Sequence, residues 1–444
     1  MSSGADSVHS LLTLITESAT SALAQYEQHG MSVPSLDTIA PHPLDLEEDV
    51  LQLRKIIRTL EAACDQLCAT LAPPVTSIVN RGQNLDWVGL QVAVQAKIAD
   101  ALGTSPNGLH VSSLGSIVGI DPGKLSRILR MLASRHIFTE VNDNVFCNNR
   151  LSILLLSKNN ISSLVHMNTT LAPKAAAAFH NNITQPETRF SNETTSSAFM
   201  QSIRSEGFKG SFYDWLQVNP AVQKEFAHAM GGLGKVMGSL SILHHFPWAD
   251  VSTLCDVGSG IGSFSLPLAK SFSATHITLI DLPDIIEQAK AHWAKELSPN
   301  IHRTVTFIAA NFFDSIPSQN QDIYYIRNIM HNWPDADASK LLCNIRSVMG
   351  LHSRILLHEY VLHTLNPLAS LIKGREQAPP PLLPNYGSGV IRSHYQDMRM
   401  LLIHNAKERT LDEFVALGQS AGLKFERFWD MADTGVIEFT KDVK

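Results

Sequence analysis

The sequence predicts an α/β protein in which a doubly wound sheet fills the C-terminal half, preceded by helices and a winged helix. Three observations carry this prediction. The strand-like run Thr253 to Val257 enters a turn with glycines at 258, 260 and 262, where the backbone must take conformations that a Cβ forbids. Beyond residue 246, apolar strand patterns alternate with helical ones, as a parallel sheet covered on both faces requires. Upstream, Val111 to Leu132 reads as a capped helix, a tight turn and a second amphipathic helix, and Phe138 to Phe146 as a hairpin.

Taken in order, residues 1–80 hold two helices. Val8, Leu11, Leu12, Ile15 and Ala19 recur at spacings of three and four, as do Val50, Leu53, Ile57, Leu60 and Leu67, so each helix carries one apolar stripe. Because these stripes precede the first domain, they are expected to meet a second subunit rather than their own. Met31 to Pro43, rich in proline, is a linker. Residues 81–155 contain the winged helix. Residues 156–245 are helical, and their aromatic group Phe208, Phe212, Tyr213 and Trp215 can line a pocket. Residues 246–444 form the sheet domain. Within it, Leu365 to Arg392 contains Pro379-Pro-Pro-Leu-Leu-Pro-Asn-Tyr-Gly387, which fits neither helix nor central strand and reads as a mobile cover.

Composition narrows the function classes. At 444 residues the chain is long enough for two or three domains. Its net charge of -6, with Lys and Arg scattered, gives no footprint for nucleic acid. Lys124, Arg127 and Arg130 on the winged motif are read as solvated charge. Five cysteines, widely spaced except for Cys64 and Cys68, read as reduced thiols of a cytoplasmic protein with no metal site. No run reaches the length of a membrane span, and the N-terminus lacks a secretory pattern.

Chemistry enters at the strand ends. Asp281 closes the strand Ile277 to Asp281 about twenty residues past the glycine turn, where a carboxylate meets a ribose diol. Glycines in this pattern also fit nicotinamide and flavin sites, so later segments must decide. Asn311-Phe-Phe-Asp314 ends a third strand, and Tyr324-Tyr-Ile-Arg-Asn-Ile-Met-His-Asn-Trp-Pro-Asp335 ends a fourth. This order of motifs resembles the class I S-adenosylmethionine (SAM) methyltransferases. The His331-Asn-Trp segment resembles the catalytic-histidine segment of plant caffeate-type and fungal O-methyltransferases, and the likeness runs from about residue 85 to the C-terminus. The resemblance implies a Rossmann-like SAM-binding domain and a winged helix that makes a homodimer interface. It also implies cofactor contacts at Asp256, Gly258, Gly260, Gly262, Asp281, Leu282, Asn311, Phe312 and Arg327.

For methyl transfer to a phenol or enol, the acceptor must lose a proton as it attacks the sulfonium carbon, a task suited to imidazole. The resemblance assigns that base to His331 and its two flanking carboxylates to Glu359 and Glu408. Two positions depart from the family pattern. Asn332 follows the histidine and Asn311 stands near the adenine, where the family usually has Asp. Loss of the carboxylate at 332 is expected to leave an imidazolium at 331 less stabilised.

A second resemblance is to fungal proteins of this fold that bind SAM and act as pericyclases in polyketide-pyridone biosynthesis. It implies that His166 and Arg327 hydrogen-bond a substrate carbonyl beside a fixed sulfonium charge. The lost charges at 311 and 332 point the same way as His166, so a SAM-assisted cyclisation is the favoured expectation and O-methylation its alternative. A SAM-sensing dimer without catalysis is the third.

Overall fold

The computed structural model describes residues 4–30, 32–296, 305–365 and 376–442. Its main sheet has seven strands: β1 (Thr253–Val257), β2 (His276–Asp281), β3 (Val305–Ala309), β4 (Ile323–Arg327), β5 (Arg354–Glu359), β6 (Leu423–Met431) and β7 (Thr434–Lys441). Their spatial order is β6-β7-β5-β4-β1-β2-β3. The first five pair in parallel. In β4, Ile323, Tyr324, Tyr325 and Ile326 are all fully buried, because helices cover both faces of a parallel sheet. The strand order reverses between β1 and β4, which opens a crevice at their carboxyl ends, the place where this architecture binds ligands.

The sheet is not parallel throughout. Met431 pairs directly with Thr434, and β7 runs antiparallel to both neighbours. Only Ala432 and Asp433 join β6 to β7, and a two-residue connection can only reverse the chain.

The winged helix forms as expected. Asp121 caps the helix Pro122–Ala133 by accepting from the Lys124 amide, and Gly119 ends the helix Val111–Val118 in the left-handed region at φ 71°. The wing strands Thr139–Asn142 and Val145–Cys147 pair antiparallel.

The N-terminal helices differ from expectation. Helix α1 (Gly4–Gln28) packs on α2 (Leu51–Leu71), and the buried face of α2 lies against its own subunit. Leu11, Ala62 and Ala63 form one cluster with Leu382, Tyr386 and Val390. Arg58, 2% exposed, reaches Asp430 at 3.0 Å and Glu376 at 2.9 Å. A Cβ on Gly389 would lie 2.1 Å from the Arg58 carbonyl oxygen, so helix and insertion touch backbone to backbone. The buried part of the stripe thus packs within the subunit, while Leu12, Leu23 and Leu71 stay exposed. Residues 376–392 of the insertion are described and pack on α2, and, contrary to expectation, Ile391 and Arg392 already open a helix, while 366–375 lie outside the described residues. Among the described residues no helix is long and apolar enough to cross a membrane.

Three further helices frame the crevice: α3 (Asn160–Thr184), α4 (Pro220–Met237) and α5 (Ile391–His404). α3 and α4 approach closely at Gly232, where a Cβ would sit 2.7 Å from the Asn160 carbonyl oxygen.

Candidate active site

The glycine turn after β1 takes left-handed conformations at all three predicted positions, with φ +71° at Gly258, +57° at Gly260 and +80° at Gly262. A Cβ on Gly262 would meet the Trp293 Nε1 at 2.5 Å, and one on Gly258 the Ile329 Cδ1 at 2.7 Å. Gly260 faces open space, so there the bare backbone can approach a ligand. Asp281 stands behind it, accepting from the Gly260 amide at 2.8 Å and from the Leu282 amide at 2.7 Å. Burial pushes the Asp281 carboxyl above its usual range.

Asp256 is 4% exposed and accepts from Ser265 Oγ at 2.5 Å. Burial raises its pKa to about 6, against the opposing pull of that bond and of Arg327. Arg327 donates to Ser239 Oγ at 2.7 Å and to Ser263 Oγ at 2.5 Å. Asn311 accepts from the Phe313 amide at 3.0 Å, and the Phe312 ring lies 3.6 Å from where a Gly258 Cβ would be. The predicted cofactor residues therefore converge on the carboxyl ends of β1 to β4. Their open backbone, paired carboxylates and aromatic wall fit a nucleoside cofactor such as SAM.

Past β4, His331 is 7% exposed and its Nδ1 donates to Glu408 at 2.9 Å, with a Glu359 oxygen at 3.4 Å. Glu359 ends β5, and its other oxygen accepts from the Ile329 and Met330 amides at 2.9 and 2.8 Å. Arg409, 1% exposed, donates to the carbonyls of Met330 and Trp333 and to Asp335, which pins the histidine's segment from below. Sequence reading passed over Arg409, although it adjoins Glu408 in Lys-Glu-Arg-Thr. Burial alone would lower the His331 pKa, but the charges of Glu408 and Glu359 outweigh it and raise the value to about 9. The three groups lie within 4.8 Å of one another. With a ring proton already between His331 and Glu408 and the Arg409 cation alongside, the set suits proton handling better than metal binding.

Asn332 follows the histidine and is held by its own hydrogen bonds. Its side chain donates to the Asn328 carbonyl at 3.2 Å and accepts from the Tyr213 hydroxyl at 3.3 Å. The carboxylates that face the ring are those of Glu408 and Glu359, and Asn332 adds no charge to them.

His166 sits apart from this group. On α3, its Nδ1 meets Glu225 of α4 at 2.5 Å and its Nε2 meets Gln95 at 3.2 Å. No hydrogen bond among the described residues joins it to His331 or Arg327. The aromatic group does converge on the histidine segment: Phe212 packs against Trp215, Phe226 and His404 with ring centroids 6.0, 5.7 and 4.9 Å apart. His404 was not anticipated, since nothing in its local pattern marks it. Two surface clefts of about 410 and 440 Å³ lie elsewhere, against the winged helix and between α1 and α2.

Comparison with known proteins agrees with this geometry. A family model described as an O-methyltransferase domain matches residues 194–372, and one described as an O-methyltransferase dimerisation domain matches 88–158. A curated relative, 3-O-methyltransferase 2 of Phanerochaete chrysosporium, is 37% identical, covering 97% of this chain and 96% of its own. Among solved structures, an O-methyltransferase of neocarzinostatin biosynthesis, in complex with SAM and 2-hydroxy-5-methyl naphthoic acid, superposes with TM-score 0.61 at 20% identity, covering 81% of this chain and 97% of that one. A protein described as a pericyclic reaction enzyme superposes with TM-score 0.67 at 16% identity, covering 96% and 100%. At these identities both structures speak for the fold alone.

Proposed function

The chain belongs to the O-methyltransferase family, whose members use SAM, and from that premise we propose that it is a homodimeric enzyme methylating a phenolic hydroxyl, with His331 as general base. The observation that carries this reading is the hydrogen bond from His331 Nδ1 to Glu408. It fixes the ring and leaves Nε2 to take the acceptor's proton, while Glu408 and Glu359 stabilise the imidazolium that results. Bound SAM supplies the methyl group on a sulfonium sulfur and departs as S-adenosylhomocysteine. Gly258, Gly260, Gly262 and Asp281 would hold its nucleoside, with Phe312 beside the adenine and Arg327 at the crevice mouth.

A base whose pKa is raised to about 9 is well matched to a phenol, whose pKa is about 10. The aromatic wall of Phe212, Tyr213 and Phe226 favours a flat ring. The 3-O-methyltransferase name of the Phanerochaete relative supports an oxygen acceptor. All five cysteines are unpaired, which supports a reducing, cytoplasmic setting.

SAM-assisted cyclisation, the expectation favoured by sequence, retains the shared fold but has a weaker support in His166. His166 is engaged by Glu225 and Gln95. Purified protein incubated with a phenol panel, a polyketide-pyridone precursor and methyl-labelled SAM separates the two. A labelled product with equal S-adenosylhomocysteine is expected; a cyclised, unlabelled product would overturn the methyl-transfer reading.

A further inference from the structure

His331 sits in the short helical turn Met330–Asn332, and that turn is held at both ends. At its start Glu359 accepts from the Ile329 and Met330 amides. Arg409 donates from Nη1 to the Met330 carbonyl at 2.7 Å and from Nη2 to the Trp333 carbonyl at 2.8 Å. An anion thus meets the amides and a cation the carbonyls, as the dipole of a helical turn favours. Asp335, the first residue of the helix Asp335–Val348, completes the arrangement. Its Oδ1 accepts from Arg409 Nε at 2.9 Å and from Nη2 at 2.7 Å. The planar guanidinium reaches three acceptors at once, which the single nitrogen of a lysine cannot span.

Glu408 and Arg409 are consecutive. Arg409–Thr410 runs as a short strand beside Val361–Leu362, with Arg409 opposite Val361. Successive side chains of an extended chain leave on opposite sides, so Glu408 takes the ring of His331 and Arg409 takes the main chain around it. The partner strand begins two residues after Glu359, so the same ladder ties the segments of both carboxylates together.

We propose that Arg409 is a positioning residue for the base: anchored on Asp335, it clasps the main chain on both sides of His331 and so keeps the ring in line with Glu408. The proposal rests on the methyltransferase reading for the reaction it serves. Among the described residues the charged and titratable groups that face His331 are Glu408, Glu359, Arg409 and His404, the last kept neutral by burial, while Tyr213 reaches only the neighbouring Asn332. Arg409 is the cation of that set and opposes the rise of the His331 pKa, so its removal favours the imidazolium and moves the titration upward. An arginine that served the fold alone would leave that titration in place.

The test compares Arg409→Lys, Arg409→Met and Asp335→Asn in the full chain. NMR titration of the His331 ring, assigned by its loss in His331→Ala, needs no turnover, and labelled methyl transfer to phenol gives kcat. Arg409→Lys keeps the charge without the fork: kcat should fall at least about tenfold, with the ring titration unmoved and S-adenosylhomocysteine affinity within about twofold. Arg409→Met should also move the titration upward. Asp335→Asn changes a side chain that is 62% exposed and should lower kcat by less than the lysine variant does; these two carry the test should Arg409→Met not fold. Undiminished kcat in Arg409→Lys and Asp335→Asn, a loss of kcat that only tracks lost cofactor affinity, or an unmoved titration in folded Arg409→Met would overturn the proposal. If no phenol is methylated and the titration still shifts in Arg409→Met alone, the methyltransferase reading falls and the hold of Arg409 on His331 stands.

Discussion

Glu408 and His331 lie 77 residues apart in the chain and 2.9 Å apart in space. Glu408 follows the last turn after α5, where its amide donates to Asp397 at 2.9 Å. His331 follows β4, held by Arg409 and by the two amides that Glu359 accepts. Two independent supports thus meet at one proton, which is the arrangement that an oriented general base needs.

Removal of the base is the simplest consequence. His331→Ala should lower kcat by about 10²- to 10⁴-fold while SAM affinity, measured by calorimetry, stays within about twofold, because among the described residues the ring's polar partners are Glu408 and Glu359 and not the cofactor residues.

The pH profile follows from the sign of the shift. His331 must be neutral to accept a proton, and its pKa is raised to about 9, so kcat/KM should rise about tenfold per pH unit below that inflection. Glu408 is the largest of the raising influences. Glu408→Gln should therefore move the inflection downward and lower the plateau. A profile that is flat from neutral to alkaline pH would contradict the assignment.

Cofactor binding depends on the glycine turn and on Asp281. Gly262→Ala places a methyl group at 2.5 Å from the Trp293 indole nitrogen in a left-handed conformation. It should cost about 1–3 kcal/mol in denaturant unfolding. Asp281→Ala removes both the ribose carboxylate and the acceptor of the Gly260 amide, and SAM affinity should fall by at least about tenfold.

The N-terminal helices should prove integral to the subunit. Arg58 and Asp430 are each 2% exposed at the side chain, and Arg58→Met should cost about 3–5 kcal/mol by stranding a buried carboxylate. Asp430→Leu in the same chain should recover most of it. A truncation beginning at Pro73 uncovers Asp430, Tyr386 and Val390 and should aggregate. A clean, active dimer without α1 and α2 would contradict this packing.

What the sequence made legible, and what it hid, divides along physical lines. The glycine turn, Asp281, His331, Glu359 and Glu408 sit in strand ends and turns whose chemistry is local, so motif spacing found them. The partners of Arg58 lie 318 and 372 residues away, and no periodicity encodes such a distance. The stripe on α2 told that a face is buried, not against what. Likewise the place of His404 stayed hidden because its neighbours Phe212 and Tyr213 come from another helix. The reversed β7 was missed because two residues, Ala432 and Asp433, decide its direction.

The central claim is that His331 takes the acceptor's proton during methyl transfer. Its most direct measurement is mass spectrometry of products formed from catechol, guaiacol and phenol with methyl-labelled SAM, run side by side for the wild-type chain and His331→Ala. The account predicts a labelled product heavier by one methyl group, with equal S-adenosylhomocysteine, from the wild-type chain and essentially none from the variant. Undiminished labelling by His331→Ala, or conversion without label by the wild-type chain, would contradict it.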